Sequence, residues 1–191
     1  MKYLKMLGLA AVAAMALMAV TAGSASATTL EIKGVTQNTA VTIKASLKSG
    51  TSAILKDTAG ISSNTCTASS VEGKSEAPFS NATVTGAVST LTFSSCAREP
   101  VTKDAGGKLH ITWTSGTNGT VTSSGAEVTT GSPFGTLNCK TNAGTHLGTL
   151  TGVASGNATM TINAALSCSG ISSKWEATYV VTTPEGLGVE N

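Results

Sequence analysis

Ala158-Thr159-Met160-Thr161-Ile162-Asn163-Ala164-Ala165-Leu166-Ser167-Cys168 sets apolar side chains at every even position and mostly small polar ones between them. Successive side chains leave opposite faces of an extended backbone, so a period of two over so long a run predicts a half-buried strand. The same period recurs in both directions from it. Toward the C-terminus Trp175, Ala177, Tyr179 and Val181 share one phase. Toward the N-terminus Leu109, Ile111 and Trp113 do so, and before them Val84, Gly86 and Val88. At Thr90-Leu91 the phase slips by one residue and resumes through Leu91 and Phe93, which predicts a β-bulge. Val41, Ile43, Ala45 and Leu47, then Leu30 and Ile32, complete the pattern. Ser49-Gly50, Gly106-Gly107, Asn118-Gly119 and Ser124-Gly125 read as turns between the runs. The expectation is an all-β chain: one antiparallel β-sandwich of about ten short strands, with a barrel as the competing architecture.

The first 27 residues do not belong to that pattern. Lys2 and Lys5 precede an apolar stretch from Leu7 to Val20, and Ala25-Ser26-Ala27 offers a small-x-small cleavage site. This is the layout of an export signal peptide, and its apolar stretch falls short of the roughly 20 residues a membrane span requires. The expected organisation is a signal helix over 1–27, cleaved after Ala27, and a single domain over 28–191 with no transmembrane anchor. The full chain of 191 residues carries 12 basic and 10 acidic side chains. Lys2 and Lys5 depart with the signal, leaving the two signs balanced and removing the charge excess that nucleic-acid binding would use.

A chain bound for an oxidising compartment with four Cys is expected to close two disulfides. Spacing alone allows three connectivities. A weak internal echo favours Cys66–Cys96 with Cys139–Cys168. Cys66, Asn81-Ala82-Thr83-Val84-Thr85, Cys96 and Lys108-Leu109-His110-Ile111-Thr112-Trp113 are followed in the same order by Cys139, Asn157-Ala158-Thr159-Met160-Thr161, Cys168 and Lys174-Trp175-Glu176-Ala177-Thr178-Tyr179. The echo suggests a duplicated unit over about 60–115 and 135–183. Each bridge would close a loop worth about 3–4 kcal/mol in the chain-entropy account.

Catalytic chemistry finds little to work with. His110 alternates with Leu109 and Ile111 and is expected on a solvent face, and His146 lies in a Gly-flanked turn. No G-x-S-x-G elbow, C-x-x-C pair or acidic calcium loop occurs. Glu72 and Glu76 are the nearest carboxylate pair for a hydrolase, in a polar segment that reads as a solvated connection. The triplets at Asn81, Asn118 and Asn157 fit the glycosylation pattern only formally. The expectation is a secreted, non-enzymatic, disulfide-stabilised protein with an envelope, adhesive or surface-interaction role and no cofactor or metal. Its partner would be envelope polysaccharide or another surface protein. The alternatives are a carbohydrate-binding module using Trp113 or Trp175, a self-assembling pilus-like subunit adding a strand at an edge such as Thr29–Lys33, and a hydrolase using Glu72 or Glu76.

Asn64-Thr65-Cys66-Thr67, Leu147-Gly148-Thr149-Leu150-Thr151-Gly152 and the ending Trp175-Glu176-Ala177-Thr178-Tyr179-Val180-Val181-Thr182-Thr183-Pro184 carry a resemblance to small bacterial secreted proteins rich in Thr, Gly and Ala. A fainter similarity, in a Cys within a Thr/Asn-rich strand followed by later Cys residues, is to the secreted activators of alkane oxidation. It implies an extracellular β-sandwich acting at a cell surface or apolar interface, and it supplies no catalytic residue. The composition also resembles pilus subunits assembled by donor-strand exchange. The ending Gly188-Val189-Glu190-Asn191 departs from the aromatic terminus of those subunits.

Overall fold

The computed structural model describes residues 27–58, 63–77, 79, 82–99, 101–133 and 135–191. The expected signal peptide, Ala27 apart, lies outside the described residues, as do Asn81 and Phe134. Every regular element described is a strand: β1 Thr29–Ile32, β2 Val35–Thr36, β3 Thr42–Leu47, β4 Ala53–Asp57, β5 Ser63–Ser75, β6 Val84–Cys96, β7 Val101–Ala105 and β8 Lys108–Ser115. The second half of the chain adds β9 Asn118–Ser124, β10 Glu127–Ser132, β11 Gly135–Lys140, β12 Thr145–Thr151, β13 Thr159–Cys168, β14 Ile171–Thr183 and β15 Leu187–Glu190.

The expected sandwich gives way to an eight-strand closed barrel. β14 pairs with β13 on one side and with β3 and β4 on the other, so the sheet returns to its own beginning. Alternation of side chains is identical in a sandwich and a barrel, and only these long-range registers separate them. The estimate of ten strands fails because several walls of the barrel are broken in the middle. β3 and β4 lie end to end between the same neighbours, β5 and β14, and form one stave interrupted at Lys48–Ser52. β7 and β8 form another, β9 and β10 a third, β11 and β12 a fourth. With β5, β6, β13 and β14 unbroken, the staves run in chain order around the barrel, each antiparallel to the next.

The interruptions explain why turn signals misled. Gly106-Gly107 and Ser124-Gly125 do not reverse the chain but break the staves β7–β8 and β9–β10 at one level. A Cβ on Gly106 would lie 1.9 Å from the Val88 carbonyl oxygen, so only glycine lets the staves approach there. Asn118-Gly119 belongs to β9, and the reversal falls one step earlier, at Gly116-Thr117. The bulge expected near Thr90 is present: Glu72 pairs with Thr90 and Gly73 with Val88, leaving Ser89 as the extra residue.

Cys66–Cys96 and Cys139–Cys168 are both bonded, each between directly paired residues of neighbouring strands. The echoed elements fall four staves apart: the cysteines on staves two and three recur on six and seven, and the segment holding Trp113 recurs as the one holding Tyr179.

One end of the barrel is stoppered by a separate sheet in the order β15-β1-β2. β1 is hydrogen-bonded along both sides, so Thr29–Lys33 is not the free edge that strand addition would need. Leu30, Leu187 and Val189 are buried beneath this sheet. Each is worth about 1.5–3 kcal/mol on full burial. The Val189 amide donates to the Thr117 carbonyl (3.1 Å), the Val153 amide to Leu187 (3.0 Å), and the Trp113 amide to Thr28 Oγ1 (3.1 Å).

Two carboxyls join the terminal strands of this stopper. Glu31 is held above its ordinary 4.5, first by burial, then by hydrogen bonding to Glu190 and by that neighbour's charge. Glu190 is held below 4.5 by the Thr36 hydroxyl and by Glu31, against its own burial. A raised carboxyl stabilises while protonated, so Glu31's contribution is complete below 4.5 and is lost as pH climbs through its raised value. Glu190's contribution has the opposite sign and fades as pH falls below 4.5. Glu31→Gln keeps a donor for Glu190 at every pH. The melting temperature of that variant minus the parent's is expected to grow from pH 4.5 to 7; a flat difference would remove the shared proton from the stopper.

Candidate functional site: the barrel interior

Alternation sends Ala45, Ala53, Ala164 and Ala177 inward together with larger residues, and these small side chains are buried without filling the space between staves. Three adjoining lobes remain. Ala53, Leu55, Leu91, Phe93, Leu166 and Trp175 line the first, about 80 Å³, at the disulfide end. Val71, Val88, Leu109, Leu147, Met160 and Tyr179 line the middle one, about 50 Å³. Ile43, Val84, Ile111, Leu150, Val181 and Leu187 line the third, about 80 Å³, beneath the stopper. Leu91, Ala126, Thr141 and Trp175 border both the first and middle lobes, and Val71, Val88, Leu109 and Met160 both the middle and third. Each lobe is smaller than the ~150 Å³ apolar cavity that accepts benzene, and only their sum exceeds it.

An aromatic row runs through the first two lobes. Trp175 meets Phe93 and Tyr179 edge to face, with ring centroids 6.4 Å apart in both pairs. The Tyr179 hydroxyl lies 2.8 Å from Ser69 Oγ, which donates to the Thr92 carbonyl (2.7 Å). Burial pushes the Tyr179 phenol up to about 12, against the opposing effect of its hydrogen bond with Ser69. At the disulfide end Asn64 spans the mouth: its Nδ2 donates to the Arg98 carbonyl (2.7 Å) and Thr130 Oγ1 (2.9 Å), and its Oδ1 accepts from the Arg98 amide (3.0 Å).

The barrel wall has one unzipped seam among the described residues. β6 pairs with β8 only over Val84–Ala87, and β7 pairs with β10. Between Leu91–Cys96 and Val101–Ala105 no ladder forms, and Leu91, Phe93 and Val101 beside it line the first lobe. Lys103 Nζ crosses the seam to the carbonyl of the bulged Ser89 (2.5 Å).

The residues singled out in the sequence do not gather at one place. Trp175 is in the interior, whereas Trp113 packs at the stoppered end and donates its indole N–H to Gly116 (2.8 Å). His110 faces outward between Thr85 Oγ1 and Ser124 Oγ, both at 3.0 Å from its ring nitrogens. His146 is exposed. Glu72 faces Lys44 (3.2 Å) and Glu76 faces Lys108 (2.8 Å). Among the described residues no three His, Cys, Asp or Glu come together in a way that could hold a metal, and no helix is long and apolar enough to cross a membrane. Alternation foretold the inward set; that it leaves adjoining lobes depends on contributions from many strands and has no local signature.

The architecture defines a closed antiparallel meander barrel with an apolar interior. No family model, curated protein or solved structure matches the chain.

The sequence holds two tyrosines, Tyr3 and Tyr179, of which Tyr179 lies among the described residues. A raised phenol leaves its contribution to stability intact below 10 and forfeits it as pH rises through about 12. The phenolate absorbance that the folded parent shows and Tyr179→Phe lacks is expected to titrate near the upper value, and the substitution to weaken the alkaline loss of stability at a cost of about 1 kcal/mol at neutral pH. Titration at an ordinary phenol value would place the hydroxyl in water.

Proposed function

We propose that the chain is an exported, non-enzymatic binding protein acting outside the cytoplasm or at the cell surface, holding a small apolar molecule inside its barrel. One observation carries this reading: the interior lobes are apolar, adjoin one another and are not filled by side chains. Space of this kind is costly. At roughly 24 cal/mol per Å³, a lobe of about 80 Å³ forfeits about 2 kcal/mol of packing. Larger side chains at Ala45 or Ala53, which line the third and first lobes, could recover it, so a chain with alanine there spends stability on volume. Eight-strand barrels are of the size that holds one small ligand. The layout of residues 1–27 and the two disulfides support an oxidising, external compartment.

The inward placement of Trp175 provides the test. In the Trp113→Phe variant Trp175 is the remaining indole, and titration with 1-octanol is expected to give a saturable change in its fluorescence. Ala53→Leu fills the first lobe. It is expected to abolish that change while raising stability by about 0.5–2 kcal/mol. No spectral change and no octanol adduct by native mass spectrometry would sink the binding-barrel reading.

A further inference from the structure

We infer that the interior takes an aliphatic chain carrying one anionic headgroup, that the chain enters sideways through the seam between β6 and β7, and that Lys103 receives the headgroup there. This rests on the binding-barrel reading and assigns its ligand class and its door.

The wall on one side of the seam is a lip made of β7, β10 and β11. Three staves are interrupted where this lip meets the barrel, at Gly106-Gly107, Gly125-Ala126 and Thr141–Gly144. Beyond those breaks β11 is fastened to β13 by only Cys139↔Cys168 and Lys140↔Ser167. The disulfide pins that far edge. The near edge, β7, has no backbone ladder to β6. A lip hinged at three breaks, pinned at β11, tied at the mouth by Asn64 to Thr130 and unladdered along β7 opens most readily along the seam.

Lys103 is the latch and the source of selectivity. It sits opposite Val128 on β10, between Val101, which borders the first lobe, and Gly106, which borders the middle one. Its ammonium is satisfied by a neutral acceptor, the Ser89 carbonyl. The nearby acids are engaged elsewhere. Glu99 accepts from the Val101 amide, Asp104 from Thr129, and Glu127 faces Lys140. The bulge is what offers Ser89 to the lysine, and it makes the contact exchangeable. A carboxylate or similar anion arriving at the seam would replace a carbonyl with a charge-assisted partner, roughly twice as strong. The aliphatic chain behind it would lie among Leu91, Phe93 and Trp175. A charged head could not follow it inward, because the lysines bordering the lobes, Lys140 and Lys74, are themselves exposed, Lys140 facing Glu127, and burying an unpaired charge is prohibitive.

The test compares octanoate with 1-octanol on the mature chain, read by the fluorescence of Trp175, with hydrogen exchange measured alongside. The parent is expected to bind octanoate about tenfold more tightly than 1-octanol. In Lys103→Met that preference should collapse to about one, and Lys103→Arg should restore it; if the Met variant fails to fold, Lys103→Gln replaces it. Amides of Leu91–Cys96 and Val101–Ala105 should exchange faster than those of β12 and β13, and octanoate should slow them. Equal affinity of the parent for the two ligands, a preference that survives in Lys103→Met, or seam amides as protected as β13 would overturn the inference while leaving the barrel a binder. Failure of the parent to bind either ligand would instead remove the reading beneath it.

Discussion

The rest of the structure depends on the return of β14 to the beginning of the sheet. Leu47, Ser46 and Ala45 of β3 pair with Tyr179, Val180 and Val181, and Leu55 and Ile54 of β4 pair with Trp175 and Glu176. These contacts join segments more than a hundred residues apart, so their loop-closure entropy is recovered only when the whole meander is in place. Closure abolishes the outer edges that an open sheet would present. It also fixes the circumference, so the interior volume is set by the number of staves and the side chains they turn inward. Had β14 stopped at β13, the same alternating sequence could have collapsed face to face, and alanines at 45, 53, 164 and 177 would have let two layers pack without a void.

Closure is uneven along the axis, and the disulfides sit where it is weakest. At the stoppered end every stave is laddered to both neighbours. At the opposite end the second half of β6 is laddered to β5 alone, and β11 to β13 through two residue pairs. Cys66–Cys96 secures the first of these strands and Cys139–Cys168 the second. Elsewhere a cross-link between paired strands would add little to backbone bonds already made. Cys139–Cys168 reinforces the two-pair ladder of β11 to β13, and Cys66–Cys96 clamps the end of the β5–β6 ladder on the strand that borders the seam, so a barrel with a thin core keeps one wall unzipped without fraying from its end.

Much of this was legible in the residues, for identifiable reasons. The inward phase of Leu109, Ile111 and Trp113, and of the run ending at Cys168, follows from a period that no competing element disturbs. The bulge at Ser89 was visible because it changes the phase. The disulfide pairing was visible because the cysteine spacing repeats, and the repeats occupy staves four apart. What stayed hidden is non-local. Glycine pairs look alike whether they reverse a chain or break a stave, so Gly106-Gly107 read as a turn when its role is to let two walls touch. Sandwich and barrel share one alternation, and the seam exists only as a ladder that β6 and β7 do not make. Lys103 gave no signal at all, since its significance comes from Ser89, whose carbonyl it reaches across that gap.

The threonine-rich exterior belongs to the same economy. Thr112 pairs with Thr120, Thr120 with Thr149, Thr149 with Thr161 and Thr161 with Thr178, a continuous row across β8, β9, β12, β13 and β14 on the outer face. Each cross-strand threonine pair contributes about 0.2–1 kcal/mol relative to alanine, and its branched Cβ favours the extended backbone whatever lies beneath. Such a wall draws part of its stability from its outer surface, independent of how well the inner one is packed. That is the condition a hollow barrel needs. Because the walls do not rely entirely on interior contacts, small residues can persist inside, and the lobes they leave survive as space rather than collapsing.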